Sequence, residues 1–232
     1  MSAMIIDLMY ISTSSAEEPD YESPDENLPK EEPKQEINLR DVLAEYRKLY
    51  LMNNDMVGFV RIPGTLIEYP LMQHTENDYY DHHNFYRELD RKGCLSIDKS
   101  TNLNQTGINI IINSNALKEQ SLLEEMNQYK DETFYNKHKT IYLDTLYEQR
   151  EYEVISVFLT KEHKPDYSGL HCHRNYQYDS KEMFEYFQYH MKSLSLYETG
   201  IEAKKDGEYI TFSSYTDYTQ KGRLAVVAMR VK

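Results

Sequence analysis

The chain contains no tryptophan, only two cysteines and no long apolar run. Two cysteines in 232 residues can form at most one disulfide, so this is not a small disulfide-stabilised domain. The apolar patch at residues 4–11 is interrupted by Asp7 and is far shorter than the ~20 residues of a membrane-spanning helix. It also lacks the basic flank of a secretory signal. The sequence therefore predicts neither a membrane span nor a cleaved leader in this chain.

Positive charge is also scarce, with 26 Lys and Arg against 39 Asp and Glu and a net charge of −13. Such a balance argues against nucleic acid or an anionic bilayer as the main partner. Residues 17–36 hold nine acidic and two basic residues, so this short stretch contributes −7 of the total. The rest of the chain is only mildly acidic.

Residues 12–36 are rich in Ser, Glu, Pro and Asp, and Tyr21 and Leu28 are their only large apolar side chains. A segment of this composition cannot bury enough surface to offset its ordering entropy. We therefore predict that residues 1–36 form an acidic, flexible stalk. Residues 37–232 are long enough to form one folded domain with a single core.

The folded part is predicted to be mostly β, with an N-terminal helix and one or two helices inserted between the strands. Eight short apolar runs bounded by Gly, Pro, Asn and Asp favour a closed eight-stranded barrel. Helices are predicted from Asn38 to residue 50, around residues 122–129 and over residues 180–196. The strands are predicted at residues 57–62, 66–72, 95–97, 108–112, 140–143, 152–158, 209–212 and 224–231.

Two segments carry a family resemblance: residues 109–115 read NIIINSN and residues 211–216 read TFSSYT, with Arg223 eight residues after Tyr215. They resemble the N-x-I-I-Y-G-H-N and T-L-S-T-C-T segments of class B sortases, the cell-surface cysteine transpeptidases of Gram-positive bacteria. The GFVRIPGT of residues 58–65 is similar to the family's G-W-I-x-I-P-G-T. The resemblance covers roughly residues 40–232 and implies the sortase-like eight-stranded barrel.

The resemblance implies an active site in which the family's catalytic Cys and His are replaced. The family's Cys position carries Tyr215, and its Arg position carries Arg223. The His position carries Asn115, or Ser114 if the register shifts by one, and neither residue has an imidazole. No catalytic set is intact, and the implied substrate-binding residues are Arg223, Ser114, Asn115, Tyr215 and Ser214.

The substituted residues are poor replacements for the family's catalytic groups. A phenol has a pKa near 10 against about 8.5 for a thiol, so Tyr215 is a weak nucleophile at neutral pH. Asn115 can form hydrogen bonds but cannot carry a proton between groups. The sequence therefore predicts an inactive pseudosortase that binds a sorting-signal-like peptide, a pilin or another surface protein, or an active sortase. No metal or cofactor is implied.

An alternative is an active cysteine transpeptidase with a relocated nucleophile, Cys172. It lies between His171 and His173 in a long segment that joins two strands. Neighbouring residues of an extended chain point to opposite faces, so neither imidazole is automatically placed to activate the thiol. The three residues also lack the separations usual for a zinc site, and a surface loop with no chemistry remains the simpler interpretation.

The remaining cysteine and a group of three histidines are expected to have no chemical role. Cys94, at a predicted strand start, is expected to be an inert thiol. His74, His82 and His83 follow a predicted strand and are expected to be solvated. By resemblance the protein belongs on the extracellular face of the membrane, held by an N-terminal anchor that was removed from this chain or shortened.

Overall fold

In the computed structural model, the described residues are 37–104, 108–113, 124–161, 176–177, 180–216 and 222–232. Nine strands and three α-helices lie within these ranges. The strands are β1 Met56–Arg61, β2 Glu68–Met72, β3 Leu95–Ser96, β4 Ile108–Asn113, β5 Thr140–Thr145, β6 Glu151–Lys161, β7 Tyr176–Gln177, β8 Tyr209–Thr216 and β9 Gly222–Arg230. The helices are α1 Arg47–Met52, α2 Glu132–Lys137 and α3 Lys181–Leu194.

Eight of the strands form a closed barrel in the order β3-β2-β1-β5-β6-β9-β8-β4. The ring closes because β3 pairs in parallel with β2 and, among the described residues, meets β4 at the pair of Ser96 and Asn113. The short strand β7 adds to the other end of β4 and was not predicted from the sequence. The predicted eight-stranded barrel is confirmed.

Side chains alternate between the barrel interior and its outer surface, as the two-residue period of a strand requires. The interior core includes Ile110, Ile112, Phe212 and Val226, all of which are buried. The intervening residues of β8 and β9 face outward. Several of them form a second apolar cluster together with residues of α3. The outer surface of β4, β8 and β9 is therefore a separate face, only partly covered by α3.

Helix α3 packs on this outer surface as its apolar stripe predicts. Phe184, Phe187 and Met191 are buried, and the Phe187 ring lies 5.2 Å from that of Tyr209. Leu194, the last residue of the predicted stripe, is instead 42 % exposed because the helix ends there.

The start of α3 supports a stability prediction. The Ser180 hydroxyl oxygen accepts a hydrogen bond of 3.1 Å from the Met183 amide, the usual contact of an N-cap. Ser180→Ala is expected to lower the free energy of unfolding by about 1 kcal/mol, measured by urea denaturation. Ser193→Ala is the matched control, because that exposed serine in the last turn of α3 donates to the carbonyl of His190 in its own helix and caps no amide at the start of the helix. Equal effects of the two changes would contradict the capping role.

The predicted N-terminal helix is present but starts about two turns later than predicted. Residues 39–46 form turns, and the helix begins only at Arg47. The Asn38 side chain accepts from the Arg40 amide, which closes a turn, and the Leu43 amide donates to the carbonyl of Leu146 at 2.7 Å. These contacts tie the segment to the barrel and outweigh its helical periodicity.

The helix predicted around residues 122–129 is a 3₁₀ helix, Glu124–Lys130, within the described residues. It leads into α2, which was not predicted and which Asp131 caps by accepting from the Thr133 amide at 2.8 Å. Tyr129 and Tyr135 from this pair of helices are buried against the barrel core. Among the residues that the structure describes, no helix is both long enough and apolar enough to cross a bilayer.

Candidate functional site

The ends of β8 and β9 bring together the residues that the sequence singles out. Tyr215 pairs with Arg223 across the two strands, and on its other side Arg223 pairs with Thr160 of β6. Directly opposed residues of antiparallel strands point to the same face. The Arg223 side chain therefore lies on the outer face of the barrel, beside the position of Tyr215.

Arg223 is half-buried and is anchored to its own sheet. One terminal nitrogen, Nη1, donates a hydrogen bond of 3.1 Å to the Ser213 hydroxyl oxygen. Ser213 is 1 % exposed and pairs in register with Asn113, the last residue of β4. Asn113, Ser213 and Arg223 thus form one polar strip across three strands, which we call the β4–β9 face.

Ser213, and not Ser214, shares the face of Arg223. Ser214 pairs with Leu224, a residue of the barrel core, and is 2 % exposed. Its hydroxyl has no hydrogen-bond partner among the described residues. The alternation of the strand places the Ser214 side chain inside the barrel, which the motif resemblance alone did not reveal.

Asp81 is a further charged group near the β4–β9 face. It ends the 3₁₀ helix Tyr79–Asp81. Burial raises the pKa of its carboxyl group, and the nearby Asp78 carboxylate acts in the same direction, while His82 and the Arg223 guanidinium act in the opposite direction. Arg223 therefore has an acidic neighbour from a distant part of the chain. No local pattern marks Asp81, because only the folding of the loop after β2 brings it there.

The histidines of this loop are less solvated than the sequence predicts. The Tyr79 ring is stacked between His74 at 4.1 Å and His83 at 4.0 Å, measured between ring centroids. The Nδ1 atom of His83 also lies 2.8 Å from the Tyr79 carbonyl oxygen. His82 is exposed, as predicted. The stack orders the segment that carries Asp81.

Cys94 is a free thiol buried at the start of β3, as the sequence predicts. Burial, assisted by the negative charge of Asp90, raises its pKa to about 12. At neutral pH the group is a neutral thiol, and the thiolate is the form that attacks carbonyl groups. Cys94 is therefore unsuited to act as a nucleophile.

Several predicted residues lie outside the described part of the chain: Ser114, Asn115 and the sequence His171-Cys172-His173. For Tyr215 the backbone is described and the side chain is not. Within the described ranges, no group of three or more His, Cys, Asp or Glu side chains could hold a metal ion.

No protein-family model matches the chain. It is 29 % identical over 189 residues to Sortase B of Listeria monocytogenes, a match that covers 80 % of this chain and 74 % of the relative. It is 24 % identical over 191 residues to Sortase B of Staphylococcus aureus, covering 82 % and 75 %.

Solved structures give the same relationship. Sortase B from Bacillus anthracis, in complex with AAEK1, superposes with a TM-score of 0.69 at 28 % identity, covering 83 % of this chain and 86 % of that one. A Staphylococcus aureus sortase B–substrate complex superposes with a TM-score of 0.70 at 24 % identity, covering 82 % and 86 %. The second likeness concerns the fold alone.

Proposed function

Since the chain is assigned to the class B sortase family by its sequence and its fold, we propose that it is a pseudosortase, which keeps the barrel and binds a peptide without transferring it. The proposal rests chiefly on the pairing of Tyr215 with Arg223, where the family resemblance expects a cysteine opposite the arginine. A phenol at this position offers no thiolate at neutral pH. The buried thiol of Cys94 offers none either.

The β4–β9 face has suitable groups for a peptide backbone. The Arg223 guanidinium is a multiple donor, and the buried Ser213 hydroxyl holds it in place by accepting from Nη1. The partly exposed amide of Asn113 both donates and accepts.

We therefore expect the ligand to be a sorting-signal-like peptide of a pilin or other surface protein, or a segment of an active sortase. The likeness to Sortase B of Listeria monocytogenes supports a peptide ligand in general. The family assignment also supports a Gram-positive source and a position on the extracellular face of the membrane. Tyr215, and Asn115 or Ser114, would contact the peptide without reacting with it.

Incubation with sorting-signal peptides and an amine acceptor, followed by mass spectrometry, tests the absence of catalysis. No cleavage, transfer product or covalent adduct is expected, since loss of a nucleophile and its base costs on the order of 10⁶ in rate. An active sortase serves as the positive control. Turnover that disappears in Cys172→Ser would replace the proposal with the relocated-nucleophile alternative.

Binding is tested separately by calorimetry with the same peptides. Arg223→Ala is expected to weaken the affinity by about tenfold or more, because a hydrogen bond from a charged donor is lost. Arg61→Ala is the matched control, as Arg61 is exposed on β1 and lies over the Tyr142 ring instead. Tyr215→Ala should also change the affinity. Absence of binding to every peptide, or equal affinities in the two arginine variants, would contradict binding at this face.

A further inference from the structure

A cavity of about 530 Å³ lies on the outside of the barrel, between α3 and the segment of residues 195–203. We call it the α3 cavity. Its volume falls in the range of ligand-binding clefts. Its lining combines an apolar floor with a polar and acidic rim. Ile155, Met191 and Ile201 belong to the floor, and Tyr189, Glu198 and Glu202 belong to the rim.

The α3 cavity is separate from the β4–β9 face. Its floor residue Ile155 lies on β6, five residues before Thr160, which pairs with Arg223. At about 3.3 Å per residue, this places the two regions roughly 16 Å apart along the strand. Ligands at the two places can therefore be tested independently.

The walls of the α3 cavity are fixed by hydrogen bonds to the barrel. The Thr199 hydroxyl donates to the Ile155 carbonyl at 2.7 Å, and the Leu196 amide donates to the Val157 carbonyl at 2.7 Å. On the helix side, the Ser156 hydroxyl donates to the Met191 carbonyl at 2.8 Å. The cavity is thus formed before any ligand arrives, which lowers the ordering cost of binding.

The charges around the α3 cavity are predominantly negative. Glu185, Glu198 and Glu202 line it, against the single positive charge of Lys192. All three glutamates are exposed, and Glu185 also pairs with Lys181 at 3.5 Å. Beside them the Tyr189 ring is 68 % exposed. Carboxylates next to an open aromatic ring favour Lys and Arg side chains, through ion pairs and cation–π contact.

We propose that the α3 cavity binds a cationic, partly apolar peptide segment of a partner protein. Lysine or arginine side chains of that segment lie against Glu198, Glu202 and Tyr189. An apolar side chain between them fills the floor at Ile155, Met191 and Ile201. The negative rim disfavours nucleic acid and anionic lipid headgroups, whose charge has the wrong sign.

A blocked hexapeptide of alternating lysine and leucine, labelled with a fluorophore, is the probe, and binding is followed by fluorescence anisotropy. The same peptide with glutamate in place of lysine is expected not to bind. Glu198→Lys combined with Glu202→Lys should weaken binding of the lysine peptide by about tenfold or more, because attraction becomes repulsion at the rim. Absence of binding by the lysine peptide, or equal binding by the glutamate peptide, overturns the proposal.

The net charge of −13 could attract a cationic peptide without any specific site, so matched variants are needed. Glu68→Lys combined with Glu76→Lys makes the same charge change at exposed positions on and after β2, which is four strands away from β9 in the ring. This pair should leave the affinity within about twofold at 0.15 M salt, where distant surface charges are screened. An equal loss in both pairs would overturn the proposal.

The aromatic contact has its own control. Tyr189→Ala should weaken binding several-fold, whereas Tyr86→Ala, at a tyrosine of similar exposure on the loop after β2, should not. Arg223→Ala should also leave this affinity unchanged, so failure of binding at the β4–β9 face would not affect the result. Equal effects of the two tyrosine changes would place the peptide elsewhere.

Discussion

Raising the pH above about 11 is expected to unfold the protein cooperatively, because many of its tyrosines ionise only after they leave the core. The chain contains 22 tyrosines. Tyr46, Tyr80, Tyr129 and Tyr209 are all buried, and burial raises the pKa of each phenol well above its usual value. For Tyr46 the hydrogen bond to the Asp144 carboxylate raises the pKa further.

The direction of the effect follows from the protons bound in each state. The unfolded chain releases phenolic protons near pH 10, while the folded chain retains them at the buried positions. Their contribution to stability is therefore complete below pH 10 and is lost as the pH rises through the folded pKa values. In this pH window, each such tyrosine lowers the free energy of unfolding by up to about 1.4 kcal/mol per pH unit. Four of them remove several kcal/mol per pH unit from a typical stability of about 5–15 kcal/mol.

Two signals measured during one alkaline titration test this prediction. Tyrosinate absorbance should rise in two phases, the first near pH 10, where an ordinary phenol ionises. The second should coincide with the loss of far-ultraviolet circular dichroism. A single absorbance transition near pH 10, with the circular dichroism unchanged to pH 12, would contradict it.

Gly93→Ala is expected to lower the free energy of unfolding by about 3 kcal/mol. Gly93 has a positive φ of 62°, which is costly for any residue with a Cβ. A Cβ at this position would also lie 2.2 Å from the Tyr80 carbonyl oxygen, so the backbone itself would have to move. That carbonyl accepts a hydrogen bond of 2.8 Å from the Cys94 amide, and this contact would be strained as well.

Gly200→Ala separates the two causes. Gly200 has a similar φ of 77°, but a Cβ there would meet nothing within 4 Å. Its replacement should cost only the conformational penalty of about 1 kcal/mol. Thermal and urea unfolding of both variants give the difference. Equal destabilisation by the two changes would show that the close contact is not what makes Gly93 necessary.

The barrel was predictable because its strands have clear signals in the local sequence. Runs such as residues 108–112 and 224–231 combine branched apolar residues with turn residues at their ends, and both became strands. The N-terminal helix was not predictable in the same way, because the contact of Leu43 with Leu146 joins residues far apart in the chain. Helix α2 was missed because its six residues are too short to show a period.

The candidate site was likewise predictable only where local sequence signals exist. The position of Arg223 opposite Tyr215 follows from a motif and a strand register, so the sequence could indicate it. The resemblance indicated Ser214, but Ser213 is the serine on the polar face. To tell the two apart, one must know which residues of β8 face outward. The position of Asp81 near Arg223 depends on the path of the loop after β2, and no local sequence pattern indicates it.

The closure of the barrel sets how the β4–β9 face can respond to a ligand. Among the described residues, β3 and β4 meet at the pair of Ser96 and Asn113, whereas most neighbouring strands are joined by several residue pairs. In this part of the chain the seam is held by fewer backbone bonds than a long pair such as β8 and β9, so separating it there costs less free energy. Asn113 belongs both to the seam and to the polar face. A ligand that bonds to the Asn113 side chain would therefore also act on a residue that helps to close the barrel.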